Sequence, residues 1–379
     1  VRYNAGVLKA VLIPNMVEFP SDSMTRYARE LEGALRRIAP SEWSFEALEC
    51  HHAEEWLKLP RFGKAMASRV GRFVSYPKLI KQAQGEIFHI LDHSHANLAH
   101  HTPPEKSVLT CHDIIPLLAA LGEIDMPVSQ MQKYRFPKII DAMKRCKKII
   151  AISESTKRSL IRYGGVPEEK IEVVYYGVNP NFSPEPAKPG ERAEILQKHG
   201  LSDANKLILH VGTPMRYKNV PALLHALKRL PENVRLIRVG AAFFPDEQRL
   251  ADELGVTPRI VQAGKIMDDK LLGAYYRAAD VFAFPSLFEG FGWPPLEAMA
   301  CGTPVVTSNA ASLPEVVGDA GATVAPDDHT GLADAISALL ENPERSAEYS
   351  QRALERARQF TWDACGRNTL AVYEKLKST

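Results

Sequence analysis

The strongest constraint in this sequence is an alternation of short β-rich runs and amphipathic stretches that runs through the chain twice. Residues 7–13 read as a buried strand. After the polar stretch 21–23, Met24, Tyr27, Ala28, Leu31, Leu35 and Ile38 recur at helical spacing. Further strands are expected at 86–91, 107–112, 147–152 and 171–176, with helical stretches between most of them. The pattern restarts with a strand at 206–212, a helix at 220–230, a strand at 235–240 and a helix at 247–254. Strands at 259–263, 280–284, 304–307 and 322–324 follow, and 341–379 reads as helical. Repeated strand-helix-strand order requires crossover connections, hence parallel sheets covered on both faces.

Between the two runs, residues 177–193 hold four prolines and two glycines and offer little to bury, which marks a linker. The length of 379 residues also exceeds what one core usually accommodates. The expectation is an α/β protein with two Rossmann-like domains facing across a cleft. Ligands in such folds bind beyond the carboxyl ends of the strands. The boundaries expected are 1–185 and 194–358, with 359–379 as a terminal helix returning to the first domain.

Composition excludes several classes. Hydrophobic content of 45% and charged content of 24% are globular values, not those of a disordered or fibrous chain. Forty-seven basic against forty-five acidic residues leave +2, which gives no general case for a nucleic-acid partner. The cysteines (Cys50, Cys111, Cys146, Cys301, Cys365) form no C-x-x-C pair, so a reducing compartment is the better reading. No apolar run approaches the ~18 to 20 residues that span a bilayer. Lys9 and Pro14 interrupt the apolar N-terminal stretch, unlike a signal peptide. A cytoplasmic location is expected.

The most informative segment is FPSLFEGFGWPPLEAMACGTP, residues 284–304. A strand should end near Phe284 and a helix should start at Pro294 or Pro295, because proline suits the first helical turn. Gly290 and Gly292 let the backbone turn tightly and approach a ligand. The amides of Gly290, Phe291 and Gly292 then lie beside a positive helix end, suited to hydroxyl or phosphate oxygens. Glu289 precedes the turn, and Glu297 is expected within the first helical turn, with both carboxylates at the rim of one pocket. Taken singly, each glutamate could instead be a solvated loop residue or a complement to the helix dipole.

The run from Phe288 to Ser308 resembles the signature of the retaining nucleotide-sugar glycosyltransferases of the GT-B fold, the large "group 1" family. Residues 312–321 (SLPEVVGDAG) and 264–280 (GKIMDDKLLGAYYRAAD) fit the same family. The first half of the chain resembles it more weakly. The resemblance implies that Glu289 contacts the donor sugar, that the amides of Gly290 to Gly292 bind its hydroxyls, and that Glu297 binds the ribose. It adds Leu296 and Gly212 to the donor-binding set. It also implies work without a metal or other cofactor.

Transfer from a nucleotide sugar expels a diphosphate, so growing negative charge must be stabilised. Residues 211–219 (VGTPMRYKN) sit where a strand gives way to a helix, a natural anion site. Arg216 offers a fork to phosphate oxygens and Lys218 a point charge. A basic pair in that place is otherwise surface decoration; its position resembles the family's phosphate-binding pair, although the spacing departs from some members. His89, His93, His95, His100, His101 and His112 fall within 24 residues, with Asp92 and Asp113 among them. No H-x-x-x-H pair with an intervening glutamate occurs there, so cleft-lining residues are favoured over a zinc hydrolase. His112 resembles the family's histidine that reaches the donor sugar from the first domain; the alternative is a core histidine held by a backbone carbonyl.

On the acceptor side the match weakens. Many relatives carry a glycine-rich loop after the first strand, whereas residues 18–26 contain no glycine. Residues 56–85 contain seven Lys or Arg and no Asp or Glu. Phe62, Met66, Val70, Phe73 and Val74 share a helical face there, flanked by Lys58, Arg61, Lys64, Arg69 and Arg72. Such a helix can lie on an anionic membrane or pack on the sheet.

The resemblance thus implies an enzyme moving a hexose-type sugar from a nucleotide diphosphate sugar, GDP-mannose or a UDP-sugar. The acceptor would be a hydroxyl on a glycan, a lipid-linked glycan or a small molecule, in polysaccharide or glycolipid synthesis. The alternatives are a non-catalytic nucleotide-sugar binding protein and another sugar-phosphate enzyme of the same fold, such as an epimerase.

Overall fold

The computed structural model describes residues 7–15, 22–48 and 69–377. Two parallel six-stranded sheets organise them. The first unit comprises residues 1–123, 127–177 and 361–379; the second comprises 124–126 and 178–360.

The first sheet is built from β1 (Leu8–Ile13), β2 (Trp43–Ala47), β3 (Ile87–Ile90), β4 (Ser107–Cys111), β5 (Lys148–Ala151) and β6 (Ile171–Val173), in the order β2-β1-β3-β4-β5-β6. Ala10 to Ile13 are wholly buried, as a strand covered on both faces requires. β2 is not among the strands expected from the sequence. It is a five-residue edge strand whose Trp43 and Phe45 point inward while its other side chains stay partly exposed. Only its pairing with β1, Leu8 against Trp43 onward, makes it a strand.

Helix Asp22–Ile38 begins two residues before the expected apolar repeat and buries Tyr27, Leu31, Ala34 and Leu35. The last helix, Trp362–Lys377, packs against it, as the sequence suggested. Arg37 Nε donates to Asp363 Oδ1 at 3.0 Å and Trp43 Nε1 to Glu374 Oε1 at 2.9 Å. Tyr373 is fully buried, with its hydroxyl 2.7 Å from His89 Nδ1.

The second sheet holds β7 (Lys206–Gly212), β8 (Val234–Gly240), β9 (Ile260–Gly264), β10 (Val281–Phe284), β11 (Val305–Ser308) and β12 (Ala322–Val324), in the order β12-β11-β10-β7-β8-β9. Read from β9, this is the doubly wound Rossmann order, and its direction reverses between β7 and β10. Leu223, Leu224 and Leu227 from helix Val220–Arg229, with Leu332 and Ile336 from helix His329–Glu341, pack on Ile208, Leu236, Ala283 and Val306. Each such side chain contributes about 1.5–3 kcal/mol on burial.

Part of the expected linker is structured. Phe182 and Asn179 are buried, and the Phe182 ring lies edge-on to Tyr276 at 5.8 Å. Helix Glu191–Lys198 starts inside the stretch, and Glu191 takes a two-pronged ion pair from Arg277, at 2.7 and 2.8 Å. The prolines concealed these contacts, because burial of one aromatic is not legible in local composition.

Of the basic stretch, Lys58, Arg61, Phe62, Lys64 and Met66 lie outside the described residues. Within it, Phe73 and Val74 are 62% and 60% exposed, whereas the Arg72 side chain is turned partly inward. No described helix is long and apolar enough to cross a membrane.

Candidate active site

The reversal point of the second sheet gathers most of the residues singled out in the sequence. Lys218 comes from the turn after β7, and Glu289 from the turn after β10, the two strands that flank the reversal. Lys218 Nζ donates to Glu289 Oε1 at 2.7 Å, and both side chains are about nine-tenths buried (8% and 10% exposed). The ammonium also lies 4.7 Å from the Phe284 ring centroid and 5.3 Å from that of Tyr217, which lends it cation–π support.

The loop carrying Lys218 is pinned from behind. Asn219 sits at φ +55°, a left-handed conformation that asparagine tolerates better than most residues. Its side-chain amide donates to the Pro285 carbonyl at 3.1 Å and the Pro326 carbonyl at 2.8 Å. One side chain thus ties together the exits of β7, β10 and β12. Nothing in the linear sequence marks it.

The turn at 289–292 is held in the same manner. Ser312 Oγ lies 3.0 Å from the Glu289 carbonyl and 2.6 Å from the Phe291 carbonyl, so its single proton is shared between them. Gly292 caps the following helix at φ +119°, and a Cβ there would stand 3.0 Å from Leu313 Cδ2. The helix, Trp293–Ala300, begins one residue before the expected start, with Pro294 and Pro295 in its first turn. Glu297 therefore falls beyond the first turn. It is also buried, not at a pocket rim: its Oε2 accepts from the Tyr276 hydroxyl at 2.9 Å. The early cap on Gly292 rotates Glu297 toward the neighbouring helix Asp269–Ala278, which carries Tyr276. Leu296 beside it is fully buried, and Phe291 is buried with its ring against Phe360.

Four buried polar atoms in this part of the sheet have no hydrogen-bond partner among the described residues: His210 Nε2 on β7, Arg238 Nε on β8, Ser286 Oγ after β10 and Thr307 Oγ1 on β11. Groups of that kind are costly to leave unpaired unless a ligand or water completes them. Gly212 leaves room in front of His210, since a Cβ there would come 3.1 Å from its Nε2. Burial, then the nearby Arg238 charge, push the His210 pKa down to about 3, so its ring is neutral near pH 7. Burial likewise lowers that of Arg238, whose Nη1 donates to the Gly212 carbonyl at 3.2 Å. His210 and Arg238 escaped the reading of the sequence because a polar residue inside a strand normally faces solvent. The one available signal was their place in otherwise apolar runs.

Arg216 stands apart from Lys218. Its guanidinium pairs with Asp246 at 2.6 Å, half-exposed, and lies 4.9 Å from the Phe244 ring centroid. His112 belongs to the first unit and is buried. Its Nε2 is 2.7 Å from the Leu91 carbonyl and its Nδ1 meets the Tyr176 hydroxyl. Burial lowers its pKa to about 4. A neutral ring must then donate from Nε2 to Leu91 and accept at Nδ1 from Tyr176. Among the described residues, no three His, Cys, Asp or Glu side chains converge as a metal ion needs.

The profile of "Glycosyl transferases group 1" matches residues 191–356, and that of "Glycosyltransferase Family 4" matches residues 24–182. The chain belongs to the group 1, family 4 glycosyltransferases, a retaining family of the GT-B fold. O-antigen chain mannosyltransferase B of Escherichia coli is 28% identical over 97% of this chain and 100% of its own length. The serotype-specific mannosyltransferase WbdA of Escherichia coli is 32% identical over 68% of this chain, which corresponds to 32% of that larger protein. Among solved structures, sucrose-phosphate synthase from Thermosynechococcus elongatus superposes with a TM-score of 0.75 at 21% identity, over 98% of this chain and 99% of its own. Anabaena HepE in complex with UDP-glucose gives 0.72 at 20% identity, over 98% of this chain and all of its own. The protein is an enzyme of glycosyl transfer.

Proposed function

We propose that this glycosyltransferase moves a mannosyl group from a nucleoside diphosphate donor, GDP-mannose, to a hydroxyl of a growing glycan such as an O-antigen polysaccharide. The observation that carries the reading is the full-length relationship to an O-antigen mannosyltransferase. The buried Lys218–Glu289 pair at the sheet reversal supports it. The sugar's anomeric configuration is retained, in keeping with the family.

In this reading Lys218 turns from Glu289 to the leaving diphosphate as charge grows there, and Arg216 joins it on exchanging Asp246 for phosphate oxygens. Glu289, freed of part of its counter-charge, accepts from sugar hydroxyls beside the amides of Gly290 to Gly292. Glu297 accepts from the ribose, with Leu296 packed behind it and Gly212 leaving space for the nucleotide. His112 takes part only by exchanging the Leu91 carbonyl for a sugar hydroxyl. The acceptor hydroxyl attacks from the face the diphosphate leaves, and a phosphate oxygen receives its proton. Domains 1–185 and 194–358 serve acceptor and donor respectively. The protein acts in the cytoplasm, where exposed Phe73 and Val74 beside the exposed Arg69 support contact with a bilayer surface.

The test is incubation with GDP-mannose, UDP-glucose and UDP-galactose and a mannan acceptor, reading nucleoside diphosphate release and product anomer by NMR. GDP release with an α-linked mannosyl product is expected. A folded protein that consumes a UDP-sugar instead, or none of the three, would overturn the assignment. Before turnover, GDP-mannose at 100 times its Kd should stabilise the fold by about 2.7 kcal/mol.

A further inference from the structure

The histidine-rich segment after β3 lies at the reversal point of the first sheet, between β1 and β3, where doubly wound folds place ligands. It forms a short helical segment, His93–His100, packed against helix Gln130–Lys144. The segment Gly71–Ser75 and helix Tyr76–Gln82 cover the same place, with the Tyr76 ring 6.3 Å from that of His95.

His95 is 5% exposed, and its Nε2 has no hydrogen-bond partner. Its Nδ1 lies 3.1 Å from Ser94 Oγ. When the hydroxyl donates to Nδ1, the proton of the neutral ring sits on Nε2 and that donor is left open. Arg72 supplies a second one: its Nε is buried and unpaired. Arg135 supplies a second cation from the exposed side, and among the described residues no ion pair engages it. The charges of Arg72 and Arg135 are close enough to act on each other and on His95. Two guanidiniums near enough to act on each other, with the buried Arg72 Nε and His95 Nε2 unpaired, are costly without an anion.

Asp92 does not fill that role. Its Oδ1 accepts from the Ser94 amide at 2.6 Å and stands 3.6 Å from His93 Nδ1. Burial would raise its carboxyl, but His93, His112 and His95 together with the Ser94 amide hold it well below the usual carboxylate range. Its charge acts on the histidines and, less than Arg135 does, on Arg72, so two arginines against one carboxylate leave a net positive site.

We propose that Arg72, His95 and Arg135 form a phosphate-binding site in the first unit, with Arg135 at its mouth and the His95 and Arg72 donors at its floor. The ligand is a phosphate ester, and the acceptor of the transfer reaction is the molecule that carries it. The assignment to the acceptor rests on the function proposed above; the anion site does not.

The site can be read without donor or turnover. In protein labelled with 15N-histidine, the His95 ring nitrogens are followed while mannose 1-phosphate or inorganic phosphate is added. Saturable movement of the Nε2 resonance is expected with both. Affinity should fall about tenfold or more in Arg72→Gln and in Arg135→Gln, since each removes a charge-assisted donor. Arg135 is exposed, so its variant keeps the test valid even where Arg72→Gln fails to fold. No saturable shift, a shift reproduced by chloride at equal ionic strength, or unchanged affinity in Arg135→Gln would overturn the site. Binding of inorganic phosphate without the ester would overturn its assignment to the acceptor. Failure of the donor test with a saturable His95 response would instead strike only the donor assignment.

Discussion

Lys218 and Glu289 are 71 residues apart in sequence and 2.7 Å apart in space, each nearly closed off from solvent. An ion pair in that setting contributes little net stability when intact, because desolvation of both charges offsets their attraction. It is instead a store of charge at the place where the sheet reverses. Under the proposed function, a diphosphate arriving there finds a cation already dehydrated and held in place.

Removing one partner should expose that arrangement. Lys218→Met strands a buried carboxylate and is expected to cost about 3 kcal/mol in urea unfolding. Lys218→Met with Glu289→Leu should recover most of that loss while leaving no transferase activity. Additive costs in the double variant would show that the two charges are not coupled.

Arg216 behaves differently because its pair with Asp246 is exposed and screened. Arg216→Ala should leave the unfolding midpoint where it is and lower kcat/KM for the donor. A stability loss with unchanged kinetics would assign it a structural role.

The Tyr276 hydroxyl is the partner shown for Glu297 Oε2. Tyr276→Phe leaves the ring in its core position and removes one donor to a buried carboxylate, at a cost of about 1–2 kcal/mol. If Glu297 holds the ribose, KM for the nucleotide sugar should rise more than kcat falls. Steady-state kinetics with varied donor decide this.

Gly292 is strained for any other residue. Gly292→Ala must hold φ near +119° and push Leu313 aside, so a loss of about 1–3 kcal/mol is expected, with the donor turn displaced. Normal stability together with full activity would show that the turn relaxes freely.

The pH dependence has a definite sign. Burial lowers the pKa of His89 and His210 to about 3, against 6.5 in an unfolded chain. Between those values the unfolded state binds more protons, so stability falls as pH falls below 6.5. Each contributes a loss of roughly 2 kcal/mol between pH 6.5 and 4.5. Urea midpoints across that range should decline, and His89→Gln, whose amide can still reach Tyr373 or Thr110, should flatten the slope.

Much of this molecule was legible in one dimension. Both ends of β7 and β12 fall where the sequence places them, and the interior of β7, Leu207 to Leu209, is the apolar run that a strand covered on both faces needs. The string from Phe288 to Ser308 identified the family, because a tight glycine turn before a proline-led helix allows few substitutions. Tertiary structure decided what depends on pairing across distance. β2 exists because β1 offers it an edge, and Phe182 is core because Tyr276 meets it. Arg216 turns to Asp246 while Lys218, two residues on, turns to Glu289. His210 and Arg238 become site residues only once the sheet buries them and leaves an atom of each unpaired. Local periodicity reports which face of an element is apolar; which polar atom ends without a partner is fixed only when every other chain segment is in place.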